Sequence, residues 1–369
     1  MGLPFTASIC HVNLSAIARN FLKLGPAEKL LPVIKSDAYG HGVAEVAQTL
    51  TQAGARRFAV GLAEEGAILR QLGHQEDIVL LMGCLNTGDW EQALACNLTP
   101  CIGSFTDLME ASALLRNHPG KTMQVAIKAD TGMSRLGFGR PDLPQLLELL
   151  AQNPTIRPVL LLSHLACADM PEEEEFTAAQ IRTFDDFYMA LSEKLPGLSR
   201  SLANSAATIN GHDYELGRPG LALYGYNPLP GADNLGLEPA MSVSSPVIQT
   251  RELARGQSVS YGRIFTADRP MRIAIVACGY ACGFARNLSN RAEAVLNGKR
   301  VRQVGRICMS MAALDVTLAG EVSKGDRAWL LGGDSANAVS AAEFAGWLDT
   351  ISYEALCMLG GLNPRVYSR

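Results

Sequence analysis

The sequence predicts an α/β protein in which a region of alternating strands and helices is followed by a mainly β domain. Its 369 residues suit one large domain and one smaller domain. Short apolar runs alternate with apolar residues at helical spacing over the first two-thirds of the chain. The pattern changes after a cluster of chain breakers at residues 227–231, where β segments at close spacing follow.

In the first region, the strand and helix signals follow one another in order. Apolar runs that predict strands lie at residues 30–34, 57–60, 78–81, 125–129 and 159–163. Apolar residues recur at helical spacing at residues 43–53, 62–71 and 144–152. This alternation leaves two parallel architectures open, a closed (β/α)₈ barrel and a doubly wound sheet.

The second region has β signals joined by turns. The predicted strands are 243–252, 271–278, 292–296, 300–304, 312–316 and 327–331. Gly256 and the pair Asn297-Gly298 are turn signals, and a helix at 340–347 precedes a short final strand. We therefore predict domains 1–229 and 230–369, and we expect the first residues, up to about position 10, to pair with the second domain.

The composition excludes several function classes. A hydrophobic fraction of 48% with 18% charged residues is enough for a packed core. The net charge is -4 and no basic block stands out, so we expect no nucleic-acid partner. An acidic run at 172–175 is typical of a solvated loop or a helix start.

The cysteines and the apolar segments predict the compartment. The nine cysteines are scattered, odd in number and without CxxC pairs, which argues against a disulfide framework or a zinc site. No run approaches the roughly 18 apolar residues of a membrane span, and no leader pattern opens the sequence. We expect a soluble, cytoplasmic protein with no metal and no membrane partner.

The most informative segment is PVIKSDAYGHG, residues 32–42, in which a predicted strand ends at Lys35. Active sites of parallel barrels lie at the carboxyl ends of the strands. A lysine in a largely apolar mouth loses hydration, its pKa falls, and its amine becomes a nucleophile for carbonyl compounds. Position alone favours the alternative of a lysine that extends from a strand end into solvent.

Together with eight further blocks in order, this segment resembles the alanine racemase family. The blocks are KADTGMSRLGF (128–138), SHLACAD (163–169), NSAAT (204–208), RPGLALYG (218–225), SVSYGRIF (258–265), GYACGFAR (279–286), VGRICMSM (304–311) and ISYEALCML (351–359). The resemblance covers almost the whole chain. It implies a (β/α)₈ barrel of the TIM type, followed by a mainly β domain, in an isomerase that uses pyridoxal 5'-phosphate (PLP) to interconvert L- and D-alanine.

The resemblance assigns the cofactor contacts. Lys35 carries PLP covalently, and Arg218 bonds the pyridine nitrogen. An arginine has no proton to give at neutral pH, so this contact limits the electron withdrawal by the ring. The phosphate contacts implied by the resemblance are Ser205, the backbone of Gly220 and Leu221, Tyr39 and Tyr353. Ser205 is also a candidate helix cap.

The resemblance also assigns a second catalytic group. Tyr261 faces Lys35 across the substrate and comes from the partner subunit, which implies an obligate homodimer with composite sites. A phenol ordinarily ionises near pH 10, so a tyrosine base needs positive charge nearby. The family places a histidine matching His164 against this tyrosine, and His164 is therefore the expected source of that charge.

Further matches concern the amino-acid substrate. Arg135 matches an arginine that contacts the substrate carboxylate, Met309 a backbone amide with the same role, and Tyr280 a residue of the entry corridor. Lys128 matches a lysine that is carbamylated in some members and braces that arginine. Two positions depart from the family pattern, since Ser310 and Cys282 stand where aspartate is common. We expect a less negative substrate entry there and a less strict preference for alanine.

The sequence leaves some alternatives open. A serine or broad-specificity racemase on the same scaffold is the main one. A related PLP barrel decarboxylase fits less well, because such enzymes use an acidic residue where this chain has Arg218. A non-catalytic PLP carrier would lack the β domain and the Tyr261 block. Supply of D-alanine to the cell wall and catabolism of D-alanine are both compatible with the sequence.

Overall fold

The computed structural model describes residues 7–212, 214–229, 235–333 and 335–369. The chain forms two compact units. The barrel unit contains Ala16–Ala38 and Val43–Glu238, and the β unit contains the residues up to Ser15, Tyr39–Gly42 and Pro239–Arg369. The predicted boundary at 229/230 adjoins residues 230–234, which lie outside the described residues, and it stays a prediction.

The strands are, in chain order, β1 (Ile9–Asn13), β2 (Arg57–Val60), β3 (Asp77–Leu80), β4 (Thr99–Ile102), β5 (Met123–Lys128), β6 (Ile156–Leu162), β7 (Ser199–Ser201), β8 (Met241–Leu253), β9 (Ser258–Val259), β10 (Phe265–Thr266), β11 (Met271–Val276), β12 (Glu293–Leu296), β13 (Lys299–Val304), β14 (Ala312–Asp315), β15 (Arg327–Leu331) and β16 (Arg365–Ser368). The α-helices are Leu14–Lys23, Val43–Gln52, Ala63–Gln71, Thr87–Ala95, Phe105–Asn117, Leu143–Gln152, Glu174–Ser192, Ser205–Ile209, Ala341–Leu348 and Ser352–Leu362. The acidic run at 172–175 lies in the turn Pro171–Glu173 and the start of the helix that follows it, as predicted.

Strands β2 to β7 pair in sequence order and in parallel, which confirms the α/β prediction. Most of their residues are buried and apolar, as expected for parallel strands covered by helices. Two of the helices between them, Thr87–Ala95 and Phe105–Asn117, begin at polar caps. The Ser104 side chain, for example, accepts a hydrogen bond from the Asp107 N–H at the start of Phe105–Asn117.

Two short segments close the ring, and we call them the seam. Parallel bridges join Val33 to Ala59 of β2 and Leu30 to Gly217. The Leu216 N–H donates to the Arg200 carbonyl of β7, which links the second segment to the other end of the sheet. The seam, residues 30–34 and 216–218, therefore occupies the first and eighth strand positions of a (β/α)₈ barrel. The predicted strand at 30–34 is present only as these bridges.

The β unit is built on a mostly antiparallel sheet in the order β11-β14-β13-β12-β15-β8-β1-β16, in which β1 and β16 pair in parallel. The 13-residue strand β8 pairs with β1 and β15 in its first half and with β11 in its second half. Strands β8, β15, β12, β13, β14 and β11 therefore pair in this order and close into a ring. Ile9–Asn13 pairs with β8 and β16, so the first strand of the described chain lies in this unit.

The β unit also confirms the predicted helix near its end. Ser340 caps Ala341–Leu348 by accepting the Glu343 N–H, one residue from the predicted start. A core of apolar side chains that includes Leu253, Met271 and Val304 fills this unit. Among the described residues, no helix combines the length and the apolar character needed to cross a bilayer.

Candidate active site

The predicted site residues of the barrel unit lie at the carboxyl ends of its strands. Lys35 follows the seam segment 30–34, Lys128 ends β5, and His164 lies two residues beyond β6. Ser205 follows β7, and Arg218 lies in the second seam segment. Because parallel strands bring these ends to one rim, the fold gathers residues that are up to 183 positions apart (218 minus 35).

The backbone after Lys35 has an unusual conformation. Ser36, Asp37 and Ala38 have φ near 54° and ψ of 47–50°, and Tyr39 continues with φ 55°. Non-glycine residues in left-handed conformation cost about 1–2 kcal/mol each, so other contacts must hold this turn. Two carboxylates contribute: Asp37 Oδ1 accepts the Val43 N–H at 2.7 Å, and Glu65 Oε1 accepts the Ser36 N–H at 2.5 Å.

Arg218 is only 4% exposed and its guanidinium is held in place by hydrogen bonds. Nη1 donates to the Ser201 carbonyl at 3.0 Å and to the Ser201 hydroxyl at 2.7 Å. Nη2 donates to the Ser163 carbonyl at 2.5 Å and lies 3.2 Å from His164 Nδ1. These contacts fix the plane of the guanidinium and leave a positive charge inside the barrel mouth.

The barrel mouth is a cluster of cations, and this lowers the pKa of its weaker bases. Burial, followed by the charge of Arg218, lowers the pKa of Lys128 to about 7. Burial and the charges of Arg218 and Lys128 lower the pKa of His164 well below its usual value. Burial and this positive surrounding therefore favour the neutral form of His164, so its role as a source of positive charge stays a prediction. The sequence did not reveal this shift, because its causes are burial in the folded barrel and four cations that are distant in the sequence.

Ser205 lies beneath a turn of backbone N–H groups. Its Oγ accepts from the N–H of Gly220 at 2.9 Å and of Ala222 at 3.2 Å, so both lone pairs are used and its hydrogen remains to donate. The Leu221 N–H between them has no acceptor among the described residues. The helix cap is Asn204, whose Oδ1 accepts the Ala207 N–H, so the capping role considered for Ser205 belongs to its neighbour.

Arg135 lies in the loop after β5 and its side chain is exposed. Asp130 Oδ1 shapes this loop by accepting the N–H groups of Gly132 and Ser134, both at 3.0 Å. The charge of Arg135 contributes to the lowered pKa of both Lys128 and His164, so the guanidinium belongs to the same cation cluster. Among the described residues, no carboxylate forms an ion pair with Arg135 or Lys128.

The β unit carries the other predicted groups. Tyr261 is 69% exposed and lies in a turn with positive φ at Ser260 and Gly262. Ser260 fixes the turn, since its hydroxyl donates to the Arg306 carbonyl at 2.5 Å. The phenol is therefore presented to solvent on a constrained backbone.

Met309 and Tyr280 lie side by side in the β unit. The Tyr280 N–H donates to the Cys308 carbonyl at 3.1 Å, and the Ala281 N–H donates to the Met309 carbonyl at 2.9 Å. A Cβ at Gly279 would lie 2.0 Å from the Cys308 oxygen, so only glycine permits this approach. Met309 is 60% and Tyr280 40% exposed, so both side chains are accessible in the single chain.

The two departures from the family pattern differ in location. Ser310 is exposed, in agreement with a position near substrate entry. Cys282 is only 2% exposed, and its thiol is hydrogen-bonded to that of Cys278. The expectation that Cys282 changes the charge of an open entry is therefore wrong in this chain, because its side chain is packed inside the β unit.

Tyr39 and Tyr353, the two tyrosines predicted to reach the phosphate, contact each other within the β unit. Their ring centroids are 5.8 Å apart at an interplanar angle of 43°. Tyr39 is buried, and Tyr353 is the second residue of helix Ser352–Leu362. The structure therefore brings these two residues together, although they are 314 positions apart (353 minus 39). No group of three potential metal ligands occurs among the described residues.

Comparisons with known proteins give one result for the whole chain. The model "Alanine racemase, N-terminal domain" matches residues 12–228, and "Alanine racemase, C-terminal domain" matches residues 240–367. An alanine racemase of Nitratidesulfovibrio vulgaris is 44% identical over 99% of this chain and 98% of its own. The solved biosynthetic alanine racemase of Pseudomonas aeruginosa is 34% identical, covers 100% of both chains and has a TM-score of 0.86. The alanine racemase of Bartonella henselae, solved with covalently bound pyridoxal phosphate, is 28% identical with a TM-score of 0.86, and covers 99% of this chain and 100% of that one.

Proposed function

Because this chain belongs to the alanine racemase family, we infer that it is an isomerase that interconverts L- and D-alanine with PLP as cofactor. Similarity over both units supports this activity, and the alternative of a serine or broad-specificity racemase is not favoured. The main support from this chain's own site is the cluster of cations at the barrel mouth, formed by Lys35, Lys128, Arg135 and Arg218. The charges of Lys35, Arg135 and Arg218 contribute to the lowered pKa of both Lys128 and His164.

The barrel mouth has the chemistry to hold an anionic cofactor. The positive cluster suits a phosphate and a phenolic oxygen. The Ser205 hydroxyl hydrogen and the Leu221 N–H remain available to phosphate oxygens, whereas the Gly220 N–H is already bonded to Ser205. Lys35 would attach the cofactor, and Tyr39 and Tyr353 would complete the phosphate site. When bound, PLP withdraws electrons from the amino-acid Cα and makes its proton acidic.

Lys35 and Tyr261 are the proposed proton carriers. The Lys35 Nζ takes or gives the Cα proton on one face, and the Tyr261 hydroxyl does so on the other. Racemisation follows because the two groups act on opposite faces of one carbon.

Arg218 acts as a fixed positive neighbour of the ring nitrogen. Its guanidinium does not release a proton at neutral pH, and its four hydrogen bonds hold it in one orientation. Beside the ring nitrogen of PLP, this guanidinium would not give that nitrogen a proton, so the cofactor would supply only moderate electron withdrawal. Arg135 and the Met309 backbone would bind the substrate carboxylate, and Tyr280 would line its entry.

Lys128 is proposed to brace Arg135. Two cations repel, so an unmodified lysine suits this role poorly. A buried amine with its pKa lowered to about 7 has an unprotonated fraction that can react with CO₂, and the resulting carbamate is an anion. We therefore include carbamylation of Lys128 in the proposal.

The proposal includes a homodimer with composite sites. The exposed Tyr261, Met309 and Tyr280 are the residues that a partner chain would cover. A cytoplasmic location is proposed as well, and nine free cysteines are compatible with a reducing compartment. There the enzyme would serve D-alanine supply for the cell wall or D-alanine catabolism.

The test combines a spectrum with an assay. We expect purified protein supplied with PLP to absorb visible light, to be tagged at Lys35 by borohydride, and to interconvert alanine enantiomers faster than those of serine or lysine. A colourless protein that borohydride does not tag at Lys35 would overturn the cofactor assignment. Faster conversion of serine than of alanine would restore the alternative substrate.

A further inference from the structure

Glu65 connects the loop after β2 with the residue that follows Lys35. Its Oε2 accepts the N–H groups of Gly61 at 2.6 Å and Leu62 at 3.1 Å. Its Oε1 accepts the Ser36 N–H at 2.5 Å. A Cβ at Gly61 would lie 3.1 Å from Glu65 Oε2 and 3.8 Å from Lys35 Cβ, so both side chains lie close to this glycine.

The bonds of Oε2 to the start of its own helix are ordinary, whereas the bond of Oε1 to Ser36 is not. Glu65 is the third residue of helix Ala63–Gln71, and an acidic residue at this position commonly binds backbone N–H groups at the start of its own helix. Asp107 does so for Gly103 and Ser104, and Asp142 for Gly139. The hydrogen bonds of those two carboxylates stay within their own loops. Among these three carboxylates, only Glu65 accepts a hydrogen bond through its second oxygen from another segment of the barrel, the residue after Lys35.

We propose that Glu65 is a positioning residue for Lys35, which holds the left-handed turn after the lysine and so fixes the direction of its side chain toward the cofactor. The inference rests on the proposed attachment of PLP to Lys35. Both oxygens belong to one rigid carboxylate, so the peptide after Lys35 is tied to the end of β2 through a charge-assisted bond. Without that bond the turn, whose residues 36–39 have positive φ, loses a principal restraint.

A pair of substitutions separates this role from helix capping. Glu65→Gln keeps one carbonyl oxygen for its own helix, as glutamine does at this position, but it has no second acceptor for Ser36. Glu65→Asp keeps the charge and the cap in a side chain one methylene shorter, which cannot span both sites. Asp107→Asn is the matched control, because one oxygen of Asp107 carries both of its bonds.

The experiment follows the capture of PLP by apoprotein, in which the Lys35 amine condenses with the aldehyde and water is released. We expect both Glu65 variants to show a visible absorbance rise about tenfold slower than wild type, with faster amide hydrogen exchange in residues 35–42. In the loaded enzymes kcat should fall while KM for alanine changes little. Asp107→Asn should capture PLP within about twofold of wild type.

Two outcomes would contradict the positioning role. One is lower thermal stability of Glu65→Gln with wild-type capture rate and exchange, which would reduce Glu65 to a helix cap. The other is an equal slowing in Asp107→Asn, which would assign the effect to helix starts in general. Lys35→Ala is measured in parallel, because covalent capture by that variant would refute the proposed function itself and not the role of Glu65 alone.

Discussion

The two units present their candidate site residues in opposite ways. In the barrel unit, Arg218, Ser205 and Lys128 are buried, and hydrogen bonds within the same chain restrain Arg218 and Ser205. In the β unit, Tyr261 and Met309 are more than half exposed, although the backbone beneath them is held firmly. The difference supports the proposal that the buried residues of the barrel unit bind the cofactor and that a partner chain covers the exposed residues of the β unit.

The largest expected effect tests the barrel half. We expect Lys35→Ala to lower racemisation by roughly a thousandfold or more and to abolish cofactor absorbance after dialysis, because the variant lacks the amine that attaches PLP. Absorbance spectra and a chiral amino-acid assay measure both. Lys121→Ala, at an exposed lysine, is the control and should behave as wild type. Retained colour in the Lys35 variant would refute the assignment.

The next effect tests the β half. Tyr261→Phe removes only the hydroxyl, so the cofactor should stay bound and coloured while kcat falls by about 10²- to 10⁴-fold. We expect cofactor binding to be kept while turnover is lost, because the predicted cofactor residues lie mainly in the barrel unit and Tyr261 lies in the β unit. Steady-state kinetics beside the spectrum checks it, and wild-type turnover would mean that another group acts on that face.

Mixing the two inactive variants tests whether the halves come from different chains. If Lys35 of one chain works with Tyr261 of its partner, a mixed dimer has one intact site, and random pairing of equal amounts restores about a quarter of wild-type activity. Sites formed within one chain would restore none. Co-expression with two purification tags and a racemase assay measure the difference.

A smaller effect concerns the stability of the barrel mouth. The pKa of Lys128 is lowered from 10.5 to about 7 in the folded state, so between these values the unfolded chain binds the proton and the folded chain does not. Stability should therefore rise with pH across this window, by a total on the order of 4 kcal/mol. For an unmodified lysine, Lys128→Met should be the more stable protein at pH 7, and its advantage should shrink by pH 9.5, whereas the proposed carbamate should make Lys128→Met the less stable protein at pH 7.

Denaturant unfolding at the two pH values measures that change. If Lys128→Met is instead less stable than wild type at pH 7, the lysine is an anion there, and carbamylation is supported. A carbamate signal from ¹³C-bicarbonate in wild type, absent from the variant, would give the same answer directly.

The smallest effect concerns the buried thiol pair. Cys282→Ser keeps a small hydrogen-bonding side chain beside Cys278, so we expect the ratio of kcat/KM for alanine and serine to change by less than about twofold. Ser310→Asp, at an exposed position, should change it more. The reverse order would show that Cys282 reaches the substrate despite its burial.

Much of this fold could be predicted from the sequence. The apolar runs located β2 and β15 at their observed ends, and helical spacing located Leu143–Gln152 to one residue. Helix Ser352–Leu362 was not predicted as a helix, because its apolar residues surround the helix without a clear face. The first barrel strand was predicted as a full run, but backbone pairing there is limited to bridges.

For the candidate site, the sequence could predict which residues take part better than it could predict their protonation states. The ordered blocks assigned Lys35, Arg218 and Tyr261, yet the neutral state of His164 depends on cations that only the folded barrel assembles. Glu65 was missed in the same way. It lies in a helix predicted at residues 62–71, but nothing in the sequence linked it to Ser36.

The seam of the barrel has a consequence for the life of the protein in a cell. The segments that close the ring by short bridges are also the ones that carry or adjoin Lys35 and Arg218. A bound ligand stabilises the state that binds it, so vitamin B6 should reinforce the ring where its backbone pairing is shortest. Under vitamin scarcity, newly made chains should open there first and be degraded sooner, which would couple nutrient supply to enzyme abundance.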